Sequence, residues 1–307
     1  MSLIEQAAKR LEQLRQAGVE LPDESAKIPD ALTGSSTKQA ERPPLAAAPQ
    51  PPVIAQTLTA STPQTILNLE AISASGLLTP DAARSQLADE FRVIKRPLIA
   101  NAMGRGSTPV PNGNLIMVTS ALPGEGKSFS AINLAISIAM ELDNTVMLVD
   151  ADVARPSVLN MLGLPPAKGL LDVLVQNSVD ISSVLLRTNI EKLSILPSGT
   201  PHPRATELLA SDTMIRLLDD MSSRYNDRII VFDSPPLLLT TESRVLASHM
   251  GQVIIVVNSE NTTQAAVKQA ISTIEACPLK MMLLNQVRAS KTDGYGYGYG
   301  YGYGHEK

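Results

Sequence analysis

Lys127 is the residue around which chemistry can be built. It follows a glycine-bearing turn, Pro123 to Gly126, and is itself followed by Ser128 and Phe129. Gly124 and Gly126 free the backbone to turn tightly and to aim N–H groups at phosphate oxygens. The Lys127 ammonium can reach the β- and γ-phosphates of a nucleotide, and the Ser128 hydroxyl can ligate Mg²⁺. Nucleotide contacts are therefore assigned to Pro123, Gly124, Glu125, Gly126, Lys127, Ser128 and Phe129. The pattern departs at its first position, where Ala121 stands instead of glycine. Alanine is small enough for that place.

Carboxylates complete the set. Asp150 and Asp152 follow the apolar run 145–149, and Asp233 follows the apolar run 228–232. An aspartate at a strand end beside a phosphate cradle is placed to hold Mg²⁺ directly or through water, a role that fits Asp233. Of Asp150 and Asp152, one can bind metal while the other accepts a proton from an attacking hydroxyl. A natural source of that hydroxyl lies at the C-terminus. Five of the six tyrosines are Tyr295, Tyr297, Tyr299, Tyr301 and Tyr303, alternating with glycine. In an extended segment this spacing puts all five rings on one side, and glycine lets the backbone enter a cleft. The three histidines, His202, His249 and His305, lack the spacing of a metal site or hydrolytic triad.

The elements that must position these residues are legible as alternation. Short apolar runs at 115–119, 145–149, 193–196, 228–232, 252–257 and 280–284 read as strands. Helical spacing marks Phe129–Met140 and the stretches 207–221 and 263–276. The expected fold class is α/β, a P-loop NTPase-type, mostly parallel sheet with helices on both faces and its ligand at the carboxyl ends of the strands. Within 81–100 a further helix carries Asp89, Arg92 and Lys95 at three-residue steps, expected to share one side.

Four segments follow from the chain's patterning. Residues 1–18 read as a short amphipathic helix, with Ile4, Ala8, Leu11 and Leu14 on one stripe. Residues 19–65, rich in Pro and Ala, read as a disordered linker. A P-loop domain is expected over 66–290 and a flexible Gly-Tyr tail over 291–307. A net charge of −4 across 307 residues offers no basic field, so no nucleic-acid partner is expected. The lone Cys277 implies a reducing compartment, and the absence of a signal pattern or long apolar run leads to the expectation of a cytoplasmic protein.

On these motifs the chain resembles the bacterial tyrosine kinase family, and most of all the stand-alone, exosortase-associated autokinases of exopolysaccharide gene clusters. The resemblance rests on Ala121–Ser128, Val146–Asp152, Ile229–Asp233, the stretch Pro197–Leu209 and the tyrosine tail. It implies ATP and Mg²⁺ as cofactors, with Lys127 on phosphates and Ser128, Asp152 and Asp233 around the metal. It further implies Asp150 as base toward tyrosine and Asn285 near the nucleotide base. Asp89, Arg92 and Lys95 would make contacts in a homo-oligomer. A separate membrane-spanning polysaccharide co-polymerase would activate the kinase and draw it to the inner face of the membrane, and a protein tyrosine phosphatase would oppose it. Ala154 departs from the family arginine at its position, with Arg155 next to it, and Lys95 stands where the family has arginine. Two other classes share the cradle: a nucleotide-switched positioning ATPase, whose additional lysine would fall at Leu122, and a non-catalytic nucleotide-binding adaptor.

Overall fold

The computed structural model describes residues 64–175, 179–224 and 228–288. The N-terminal amphipathic segment, nearly all of the Pro/Ala-rich stretch and the tyrosine tail lie outside the described residues. Among the described residues there are eight strands: β1 (Gln64–Thr65), β2 (Leu115–Ser120), β3 (Thr145–Asp150), β4 (Leu186–Thr188), β5 (Leu193–Leu196), β6 (Arg228–Asp233), β7 (Gln252–Asn258) and β8 (Leu279–Asn285). They form one sheet in the order β1-β4-β5-β3-β6-β2-β7-β8. All neighbours run parallel except β4 against β5. Each of the six expected runs is a strand.

Helices cover both faces: α1 (Leu69–Ala74), α2 (Gln86–Ala102), α3 (Lys127–Ala139), α4 (Val158–Met161), α5 (Leu170–Val175), α6 (Ile181–Val184), α7 (Ala205–Leu209), α8 (Asp212–Arg224), α9 (Glu242–Ser248) and α10 (Gln264–Ser272). The period of two along the strands divides the interior in two. Ile116, Val118, Leu148 and Val231 point into one core with Phe91 and Leu98 of α2 and the apolar residues of α3. Met117, Val149 and Phe232 point into the other, with Leu218 of α8, Leu246 of α9 and Ala270 of α10. Because β2, β3 and β6 are covered on both faces, they read as continuous apolar runs rather than alternating ones.

Two expectations change. The stretch 207–221 is two helices, interrupted at Ala210–Ser211, where the Ser211 hydroxyl accepts from the Met214 N–H at 3.3 Å and caps the second. The charged face of α2 also ends earlier than its spacing suggested. Asp89 is exposed and ion-paired with the half-buried Arg92, but Lys95 is buried, donating to the Ser137 carbonyl at 2.5 Å and pairing with Glu141 at 2.7 Å. Each three-residue step falls about 60° short of a full turn, so two steps rotate Lys95 off the exposed face and onto α3. Its ammonium is an anchor within the chain and is not presented as a subunit contact.

Candidate active site

The order of the sheet brings the chemistry together. β6 lies between β3 and β2, with Asp150 registered against Asp233 and Asp233 against Val118. Beyond β2 the chain turns through Ala121–Gly126 into α3, so the cradle and the strand-end carboxylates occupy one edge. Ala121 is fully buried among the core residues of the second face, which explains a small side chain there. Gly124 and Gly126 have φ of 81° and 92°, a region costly for other residues. A Cβ on Gly126 would also collide with the Asn285 amide.

Glu125 is buried and turned inward. Its carboxylate accepts the Leu122 N–H at 2.6 Å and the Thr262 hydroxyl, closing the loop on itself. The assignment of Glu125 to the nucleotide therefore narrows to its backbone N–H. Phe129 likewise directs its ring into the core, where it packs against buried residues. Asn285 stands at the end of β8, next to the cradle, and donates to the Glu125 carbonyl at 2.9 Å. Gln286 donates to the Gly124 carbonyl at 3.2 Å.

Lys127 begins α3 with its ammonium 2.7 Å from Asp152 and 3.8 Å from Asp233, and it donates to the Ser128 hydroxyl at 3.3 Å. Ser157 donates to the same hydroxyl at 2.8 Å. Asp150 is held through one oxygen, which accepts the N–H groups of Ser157 and Val158 at 3.2 and 3.1 Å, where α4 starts. Its other oxygen is buried without a hydrogen-bond partner among the described residues, as are both oxygens of Asp233. Arg155 uses its backbone N–H on Asp152 at 3.1 Å and leaves its guanidinium exposed, apart from the cluster of carboxylates.

The electrostatics follow from burial. Burial raises the Asp150 carboxyl to about 7, and the nearby Asp233 charge adds to the rise. Burial raises Asp233 to about 6, with Lys127 partly offsetting it. For Lys127, burial alone would lower the pKa, but the carboxylates of Asp233, Asp152 and Asp150 outweigh it and the net shift is upward. Groups poised near neutrality beside a permanent cation suit proton transfer and anion binding.

The donor set fits Mg²⁺. Three buried carboxylate oxygens accept no hydrogen bond among the described residues, the Ser128 hydroxyl lies against Asp233, and all are hard oxygen ligands. Among the described residues no group of three or more His, Cys, Asp or Glu makes a complete metal cage.

The structure thus gathers Lys127, Ser128, Asp150, Asp152 and Asp233 with the cradle and Asn285, and sets Asp89, Arg92 and Lys95 apart on α2. The tyrosines lie outside the described residues. Ser157, Thr262 and Gln286 were not anticipated. Ser157 carried a usable signal, since it directly precedes a helix start; the other two act only through folding across the sheet.

A cradle at a strand-to-helix turn, with strand-end carboxylates on a parallel sheet, defines a P-loop nucleotide-binding α/β domain. Residues 113–286 match the family described as AAA domain. Tyrosine-protein kinase YwqD of Bacillus subtilis (strain 168) is 33% identical over 182 residues, covering 59% of this chain and 75% of YwqD. Among solved structures, the chimerical protein CapA2B2 is similar at 28% identity with a TM-score of 0.56, over 70% of this chain and 97% of that one. The kinase domain of the Escherichia coli tyrosine kinase ETK is similar at 27% identity with a TM-score of 0.54, over 61% and 73%. The chain belongs to the AAA-domain family and, within it, to the bacterial tyrosine-protein kinases.

Proposed function

We propose that the chain is an ATP-dependent protein tyrosine autokinase that phosphorylates its own cluster Tyr295–Tyr303, between neighbouring subunits, and thereby regulates exopolysaccharide synthesis. The observation that carries this reading is the set of buried Asp150 and Asp233 oxygens beside the Lys127 ammonium that accept no hydrogen bond among the described residues. Backbone N–H groups of the cradle would bind the phosphates, and Lys127 would stabilise charge developing on the transferred phosphoryl group. Ser128, Asp152 and Asp233 would hold Mg²⁺, which when bound neutralises phosphate charge. Asp150, raised toward neutrality and with one free oxygen, would take the proton of the incoming tyrosine hydroxyl.

Charged contacts at Asp89 and Arg92 on α2 are the proposed subunit contacts, without Lys95. A membrane-spanning co-polymerase as activator and a tyrosine phosphatase are the proposed partners, and a site at the inner face of the membrane is the proposed location. Among the described residues no helix is long and apolar enough to cross a membrane, so in this reading membrane contact would come from the partner. Incubation with labelled ATP and Mg²⁺, followed by mass mapping, should place phosphate on the tail tyrosines. ATP hydrolysis with an unmodified tail would instead favour a nucleotide switch.

A further inference from the structure

β8 ends the sheet on the side of the cradle and is unusual for an edge strand. It is seven residues long, contains no proline, and carries one charged residue, Lys280. Met281 and Leu283 pack against the core, whereas Met282 and Leu284 are about two-thirds exposed, at 66% and 62%. The Asn285 carbonyl accepts from the Ser259 N–H at 3.0 Å, beside β7. Peptide groups alternate in direction along a strand, so those of Lys280, Met282 and Leu284 face the open edge. Exposed side chains and edge amides with no strand partner among the described residues therefore coincide at Met282 and Leu284. Such an edge is a template for another strand unless something covers it.

We propose that the chain's own Gly-Tyr tail covers it, folding back antiparallel on β8 with its rings over Met282 and Leu284. The tail's alternation matches the edge. Tyrosines two residues apart are spaced about 6.8 Å along a strand, as Met282 and Leu284 are, and residues directly opposite share a face. Aromatic rings on methionine sulfur and leucine gain contact on that face. Glycine falls on the other face, where Met281 and Leu283 already pack and need no further neighbour. Connectivity permits it: β8 ends at Asn285, Arg288 pairs at the surface with Glu260 at 2.8 Å, and the six residues 289–294 remain to lead back to Tyr295. Resting on the autokinase reading, the consequence is that a docked tail keeps its acceptor hydroxyls away from the phosphate cradle until it is released.

The test is amide hydrogen exchange by NMR on the full-length protein without nucleotide, which separates it from any failure of the kinase assay. Met282 and Leu284 amides should be protected, and changing all five tail tyrosines to Ser should speed their exchange roughly tenfold or more, leaving Met281 and Leu283 unchanged. Met282→Lys, a substitution at an exposed position, should do the same at Leu284. Equal exchange with and without the tyrosines overturns the proposal, whether both are fast or both slow. Protection that grows with protein concentration and survives loss of the tyrosines would assign the edge to a second copy instead.

Discussion

Two regions of this molecule bury a lysine, and they do so in opposite ways. Around Lys95 the charges balance: one ammonium meets one carbonyl and one carboxylate, both at hydrogen-bond distance, and the carboxylate of Glu141 remains partly in water. Around Lys127 one ammonium faces three carboxylates, two of them carrying buried oxygens that accept no hydrogen bond among the described residues. A buried carboxylate without a partner costs several kcal/mol unless it takes up a proton or a cation. A balanced lysine is explained by the fold; an unbalanced one is explained by what the fold is built to hold.

That contrast breaks if the two lysines behave alike. Lys127→Met should lower tail phosphorylation by about 10²–10³-fold or more, with the fold retained, as measured by initial rates with labelled ATP. Lys95→Met should leave phosphorylation in place and cost about 1–3 kcal/mol of stability, read as a lower denaturant midpoint at unchanged slope. Reversed outcomes would mean that charge balance does not separate the two regions.

The carboxylates sharpen the comparison. Asp152→Asn and Asp233→Asn should each weaken Mg²⁺-dependent nucleotide binding by roughly tenfold or more, whereas Asp150→Asn should keep more of the binding and lose transfer. Calorimetric titration beside the kinase assay distinguishes them. Equal binding losses in all three would contradict the division of roles.

The smallest expected effect lies outside both regions. Asp172 accepts the N–H groups of Gly169 and Thr200 at 2.8 and 3.0 Å. Partial burial works against its ionised form, but these hydrogen bonds prevail and hold the carboxyl below its ordinary value. A depressed folded pKa stabilises above the unfolded value of about 3.9, and the gain is lost as pH falls through the folded value. Asp172→Asn should therefore cost about 1 kcal/mol or less at pH 7, since solvent screens the site. The gap to the unaltered protein should close below about pH 4 in denaturant titrations at each pH.

Legibility in the sequence followed the range of the forces involved. The central strands and the cradle were readable because burial on both faces forces continuous apolar runs, and because a tight turn needs glycine where φ is positive. Asp150, Asp152 and Asp233 were readable from their place at strand ends. β1 and β4 were not, being two and three residues long and held by pairing with each other and with β5. The inward turn of Glu125 depends on Thr262, far along the chain, and leaves no local mark. Lys95 was misplaced by treating a three-residue step as a full turn, an error that grows with each step.

The amides of Asn285 and Gln286 carry a consequence for how the cradle points. In a trans peptide the carbonyl and the next N–H lie on opposite sides of one rigid plane. By fixing the carbonyls of Gly124 and Glu125 toward β8, these two side chains also fix the N–H groups of Glu125 and Gly126 away from it. The last strand thus acts as the compass of the loop, orienting two peptide dipoles before any anion arrives. Loss of either amide would leave the lysine and the carboxylates in place and let those dipoles turn.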